Sequence, residues 1–179
     1  MKLTTTKLEG VVILEPRVFA DERGFFWESY NAKTLSSLGI DVVFVQDNHS
    51  MSRKGTLRGI HYQVRTPQAK LVRVINGEVF DVAVDLRKSS PTFGQWFGLV
   101  LSAANKLQLF IPPGFGHGFL ALSQTVEVLY KAGDFYSPEN ERCILWNDPN
   151  LAIDWPSRNE LVISAKDAAG TLLREADLS

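Results

Sequence analysis

Asn76-Gly77 divides two runs of alternating character, Ala69-Lys-Leu-Val-Arg-Val-Ile75 and Glu78-Val-Phe-Asp-Val-Ala-Val-Asp-Leu86. An Asn-Gly pair between period-two runs is the strongest short-range signal for a β-hairpin, because both residues accept the positive φ of a type I′ turn. Such a hairpin pairs Ile75 with Glu78, sets Val72 opposite Asp81 and sets Lys70 opposite Ala83. Alternation then gathers Lys70, Val72, Val79, Asp81 and Ala83 on one face, with Lys70 and Asp81 on a diagonal that a long side chain can span. Leu71, Ile75, Phe80, Val82 and Val84 make the opposite, packing face. Buried polar groups cost free energy unless they are paired or used, so a lysine and an aspartate on a sheet face point to a lined cavity.

The rest of the chain continues in short β-branched or aromatic runs. Strands are expected at 11–15, 24–30, 42–50, 57–63, 70–75, 78–86, 96–101, 108–111, 118–122 and 126–132. Ser90-Pro91-Thr92, Pro112-Pro113-Gly114 and Ser137-Pro138 mark turns between them. Helical signals are few. Asn31 is placed to cap a short helix carrying Leu35 and Leu38 and closed by Gly39, and Ser164 to Asp167 has capping-box spacing before a second. About ten strands in 179 residues, with no repeat or linker, give an all-β expectation: one domain over 1–179, a double-sheet jelly roll with a few short helices.

Bulk properties narrow the function. A formal charge of −1 supplies no basic field for nucleic acid. The single cysteine, Cys143, excludes an internal disulfide and suits a reducing compartment. No apolar run approaches the ~20 residues of a membrane span, so a soluble, cytoplasmic protein with no membrane or nucleic-acid partner is expected.

The segment Leu57-Arg-Gly-Ile-His-Tyr-Gln63 concentrates a guanidinium, an imidazole, a phenol and an amide in a strand-like run. The three histidines, His49, His61 and His117, each stand alone, without the His-x-His spacing of a metal-binding β-barrel, so no metal is expected. There is no nucleophile elbow and no reactive context around Cys143. What remains is metal-free acid–base chemistry. His61 is the natural base, since an imidazole titrates near working pH, with Asp167 or Asp81 to fix its tautomer. Lys70 suits a developing oxyanion, and Tyr130 is an acid on another strand. Gly59 marks a bulge if Arg58 and His61 are both to reach the pocket, because strict alternation sends them to opposite faces. Each of these groups also has an ordinary structural reading: a satisfied histidine, a snorkelling lysine, a capping aspartate, a packed tyrosine.

Read together, LRGIHYQ, QAKLVRVINGEVFDVAVDLR, SPTFGQW, LFIPPGFGHGFLALS, VLYKAGDFYSPENERCILWNDPNLAIDWP and SAKD, joined by RGFFWESY and FVQDNHSMSRKGTLRG, closely resemble the dTDP-4-dehydrorhamnose 3,5-epimerase family. The match is collinear from about Gly10 to Asp167. The resemblance implies a cupin-type jelly roll that is homodimeric and uses no metal or organic cofactor. It implies a dTDP-linked 4-keto-6-deoxyhexose as substrate, inverted at C3 and C5. By position, His61 resembles the base, Asp167 its partner, Lys70 the enolate-stabilising cation and Tyr130 the proton donor. Arg23, Glu28, Gln46, Asp47, Asn48, Arg58, His117, Glu141 and Lys166 match substrate-binding positions, and Tyr136 an aromatic near the nucleobase. A C3-only or C5-only epimerase, or a sugar-nucleotide-binding cupin without catalysis, stands as the alternative.

Overall fold

The computed structural model describes residues 1–178. In chain order the strands are β1 (Lys2–Thr5), β2 (Val12–Glu15), β3 (Phe19–Asp21), β4 (Gly24–Phe26), β5 (Gln46–Arg53), β6 (Thr56–Gln63) and β7 (Lys70–Asn76). They continue with β8 (Glu78–Asp85), β9 (Trp96–Ser102), β10 (Gln108–Ile111), β11 (Phe115–Ala121), β12 (Thr125–Ala132), β13 (Glu141–Cys143) and β14 (Val162–Ile163). Two short helices, α1 (Ala32–Ser37) and α2 (Ala165–Ala168), complete the regular structure with a 3-10 turn at Leu173–Glu175. One sheet runs β1-β2-β10-β7-β12-β5 and the other β13-β6-β11-β8-β9, with β14 parallel to β6 and β3-β4 a separate hairpin. This is the double-sheet jelly roll that the strand pattern called for, in the cupin-type form that the family resemblance implied.

The Asn76-Gly77 hairpin does not form. β7 pairs with β10 and β12, β8 pairs with β11 and β9, and the two-residue link carries the chain from one sheet to the other. Lys70 and Asp81 therefore lie in facing sheets, not on a diagonal of one. The alternation nevertheless assigned the faces correctly. Val72, Val74, Val79 and Ala83 meet in the core between the sheets, with Leu109, Ile111, Phe119 and Val128. The expected packing face splits in two: Leu71 packs outside the first sheet with Leu35 and Phe110, while Val82 and Val84 pack outside the second with Leu120, Ile153 and Trp155. Ile75 belongs to neither and is 39% exposed. Period-two patterning is the same for a hairpin and for an arch between sheets, so sequence alone does not separate them.

Both caps form. Asn31 Oδ1 accepts the Lys33 and Thr34 amides, Leu35 is buried, and Gly39 takes φ +82° past the helix end. Ser164 Oγ accepts the Asp167 amide at the start of α2. Strand limits differ in places. The run 42–45 is extended without a ladder, so β5 begins at Gln46, and the 24–30 run pairs only as far as Phe26. β11 starts three residues earlier than expected, at Phe115, which brings His117 into the sheet. β1, β3, β13 and β14 went unread, because strands of two to four residues carry too little periodicity.

Candidate active site

One end of the sandwich is filled by the apolar core. The other encloses a cavity of about 430 Å³ lined from both sheets. His61, Arg58, Gln63 and His117 line it from one sheet, and Gln46, Asn48, Lys70 and Tyr130 from the other.

Arg58 and His61 share this cavity because β6 gains a residue between them. Opposite β11, His61 pairs with His117 and Arg58 with Phe119, so three steps on β6 face two on β11. That count defines a β-bulge, and it sits where the sequence required one. Gly59 adopts φ +108°, and a Cβ there would lie 2.5 Å from the His117 carbonyl oxygen, so only glycine fits.

Asp167 reaches His61 from α2. Its Oδ1 lies 2.6 Å from His61 Nε2, and its Oδ2 accepts the Gly59 amide at 3.4 Å. Burial pushes the Asp167 carboxyl up, but the hydrogen bond and charge of His61, with the Gly59 and Ser164 groups, outweigh it and hold the group ionised. Asp81 is engaged elsewhere: fully buried, it lies 2.9 and 3.1 Å from His117 Nε2. The two carboxylates offered by sequence as partners for one imidazole thus serve two imidazoles. Burial drives His117 toward its neutral form against the charge of Asp81.

Lys70 is buried, and its amine is pulled down to about 8 by desolvation, opposed by the negative charges of Asp81 and Glu141. Its Nζ stands 6.0 Å from the Tyr130 ring centroid. Burial raises the Tyr130 phenol against the pull of Arg58, so it keeps its proton. The Arg58 guanidinium is braced by Ser52 Oγ at 3.1 Å and the Met51 carbonyl at 3.2 Å.

At the mouth, Glu141 accepts a 2.5 Å hydrogen bond from the Tyr136 hydroxyl and pairs with Lys166. Burial raises the Glu141 carboxyl, and the Lys166 and Tyr136 hydrogen bonds more than reverse it. The loop bearing Tyr136 is tied to the floor by two side chains that sequence reasoning passed over. Gln63 Nε2 donates to the Phe135 carbonyl at 3.2 Å and its Oε1 accepts the Ser137 amide at 2.8 Å, while Gln68 Nε2 donates to the Asp134 carbonyl at 2.8 Å. Alternation already places Gln63 on the face of His61, but its partners at Phe135 and Ser137 lie far along the chain, where no local pattern points to them.

Of the positions matched to substrate, Lys166 stands at the rim through its pair with Glu141, and three others lie away from this chain's cavity. Arg23 pairs with Asp21 at the exposed tip of β3-β4, and Glu28 accepts hydrogen bonds from Asn31 and Thr34 beside α1. Asp47 pairs with Lys131 on the outer face of its sheet. Alternation explains Asp47, since between inward Gln46 and Asn48 it must point out. His49, also outward, is bound to Glu127 at 2.9 Å, so the three histidines do not converge.

A family model described as dTDP-4-dehydrorhamnose 3,5-epimerase matches residues 5–175. The dTDP-4-dehydrorhamnose 3,5-epimerase of Salmonella typhimurium is 58% identical over 100% of this chain and 99% of its own length. That of Pseudomonas aeruginosa is 57% identical over 99% of this chain and 98% of its own. The crystal structure of dTDP-6-deoxy-D-glucose-3,5-epimerase from Legionella pneumophila in complex with dTDP-4-keto-L-rhamnose superposes with a TM-score of 0.96, at 52% identity, covering 98% of this chain and 94% of that one.

Proposed function

The chain belongs to the dTDP-4-dehydrorhamnose 3,5-epimerase family, and from that premise we propose how its cavity works. The protein is a carbohydrate epimerase that converts dTDP-4-dehydro-6-deoxy-D-glucose to dTDP-4-dehydro-L-rhamnose by inverting C3 and C5. The C4 ketone acidifies the hydrogens on both carbons, because each carbanion delocalises into an enolate. His61, oriented by Asp167, removes the proton from one face of the ring. Lys70 stabilises the enolate oxygen by charge, and a well-placed donor of this kind is worth roughly 3–4 kcal/mol. Tyr130 delivers a proton to the opposite face, and the two groups recover their starting states through solvent. No redox change is needed.

The facing positions of His61 on β6 and Tyr130 on β12, across one cavity, support this reading above all. Arg58 and Lys166 suit the diphosphate, which acts as a handle that orients the ring. Gln46, Asn48, His117 and Glu141 suit the remaining polar groups, and Tyr136, 51% exposed at the mouth, suits the nucleobase.

The whole of 1–179 acts as one cupin-like domain, in the cytoplasm, as a homodimer. The β3-β4 hairpin presents Phe19, Phe25 and Phe26 at 51, 63 and 69% exposure, a liability that a second copy removes. Arg23 and Glu28, remote from their own cavity, then serve the neighbouring one.

Incubation with substrate in deuterated water tests the assignment. Wild type incorporates deuterium at C3 and at C5. His61→Asn retains nucleotide-sugar binding and loses incorporation by at least about 10²-fold. Label at only one carbon in wild type defeats double inversion, and undiminished exchange in His61→Asn defeats the base assignment.

A further inference from the structure

Cys143 stands directly opposite His61 in the β13–β6 ladder, on the same side of the sheet. Asp167 comes down on the pair from α2, and one donor atom from each of the three residues lies within 4.8 Å of the other two. Cys143 has no role in the epimerisation above. Its thiol donates only a long contact to the Ile144 carbonyl, at 3.5 Å.

We propose that Cys143, His61 and Asp167 form an inhibitory zinc site, in which a borderline-soft divalent cation entering through the substrate cavity locks the acid–base dyad. His61 Nε2 and Asp167 Oδ1, 2.6 Å apart, need to open to the roughly 3.3 Å that two donors about 2.0 Å from a tetrahedral zinc require, while the Cys143 sulfur closes in to about 2.3 Å from the metal. The approach is open, since the His61 side chain is 30% exposed to the cavity while Asp167 is buried behind it. A water or substrate oxygen takes the fourth position. Three donors including a thiolate favour zinc or cadmium over magnesium or calcium, which want six or more oxygens.

Charge balance favours the complex. The dication meets one carboxylate and one thiolate, leaving the set neutral in a half-buried site. Binding releases the thiol proton to solvent. The ring nitrogen facing Asp167 offers its lone pair to the metal, and the imidazole proton moves to the other ring nitrogen. With both nitrogens occupied, His61 has nothing left to accept a hydrogen from carbon. The inhibition rests on His61 being the base, whereas the coordination itself does not.

Cadmium titration of the intact protein tests the site without reference to turnover. The expected result is one ultraviolet thiolate-to-cadmium charge-transfer band that saturates at one equivalent and is missing from Cys143→Ser. Zinc is expected to abolish epimerase activity in wild type, with recovery on chelation. The concentration for half inhibition should rise at least about tenfold in Cys143→Ser and Cys143→Ala, whose zinc-free turnover serves as the folding control. A missing band in wild type, or equal zinc sensitivity in wild type and both variants, overturns the proposal. Failure of the epimerase reading looks different: zinc-free wild type shows no turnover, whatever the band does.

Discussion

At the scale of single residues, the cavity is governed by which charge sits next to which. Lys70 loses its proton at about 8 because burial outweighs the attraction of Asp81 and Glu141. The groups facing it are Asp81 from β8, His117 from β11, Tyr130 from β12 and Glu141 from β13. If the ammonium form stabilises the enolate, its contribution is fully present below about 8 and is lost as pH rises through that value. Asp81→Asn deletes a charge that favours the ammonium. Lys70 then deprotonates earlier, and the alkaline limb of kcat moves to lower pH. A pH–rate profile checks the direction, and an unmoved limb removes Lys70 from the chemistry. Motif context singled out His61, Lys70, Tyr130 and Asp167, and the fold brings the first three to one cavity with Asp167 behind His61. Which carboxylate serves which imidazole was not legible in the sequence, because that depends on how two sheets face each other. Sequence spacing carries no such information.

Among the secondary-structure elements, β6 decides whether the site exists. Its extra residue at Gly59 shifts the alternation, so that Arg58 and His61 both turn inward. Gly59→Ala forces a Cβ against the His117 carbonyl at 2.5 Å and the Gly118 Cα at 2.6 Å, both backbone atoms. Relief requires β6 and β11 to separate, at an expected cost of about 1–3 kcal/mol or more, read as a lowered denaturation midpoint with activity lost alongside. Retained stability and activity would show that the bulge does not depend on glycine. Here the sequence was informative in an unusual way, because two polar residues three apart demanded a break in period. The opposite holds for β7 and β8. Their alternation was read correctly and their pairing wrongly, since each had two other antiparallel neighbours available, β10 and β12 for one, β9 and β11 for the other. Short partners such as β13, which brings Cys143 beside His61, are invisible to pattern reading because they are set by tertiary contact alone.

For the molecule as a whole, the exposed aromatic hairpin and the placement of Arg23 and Glu28 away from the cavity point the same way. Phe25→Ser with Phe26→Ser removes apolar area that the proposed second copy would cover. Sedimentation is expected to show wild type as a dimer and the double variant shifted toward monomer, with substrate KM raised if Arg23 and Glu28 serve the neighbouring cavity. A monomeric wild type would refute the assembly. The arch at Asn76-Gly77 has its own consequence. β7 leaves the cavity at Lys70 and β8 returns to it near Asp85, so this link ties the two walls together only at the apolar end. The opposite end is bridged by the chain itself at 64–69, 112–114 and 133–140, and the last of these links is tied down by the Gln63 and Gln68 side chains. Residues 133–137 at this rim belong to no strand, so thermal breathing is expected to begin there and travel inward. Backbone amides of residues 134–137 should trade their hydrogens quickly, and those of Val72, Val74, Val79 and Ala83 last, only when the entire protein opens.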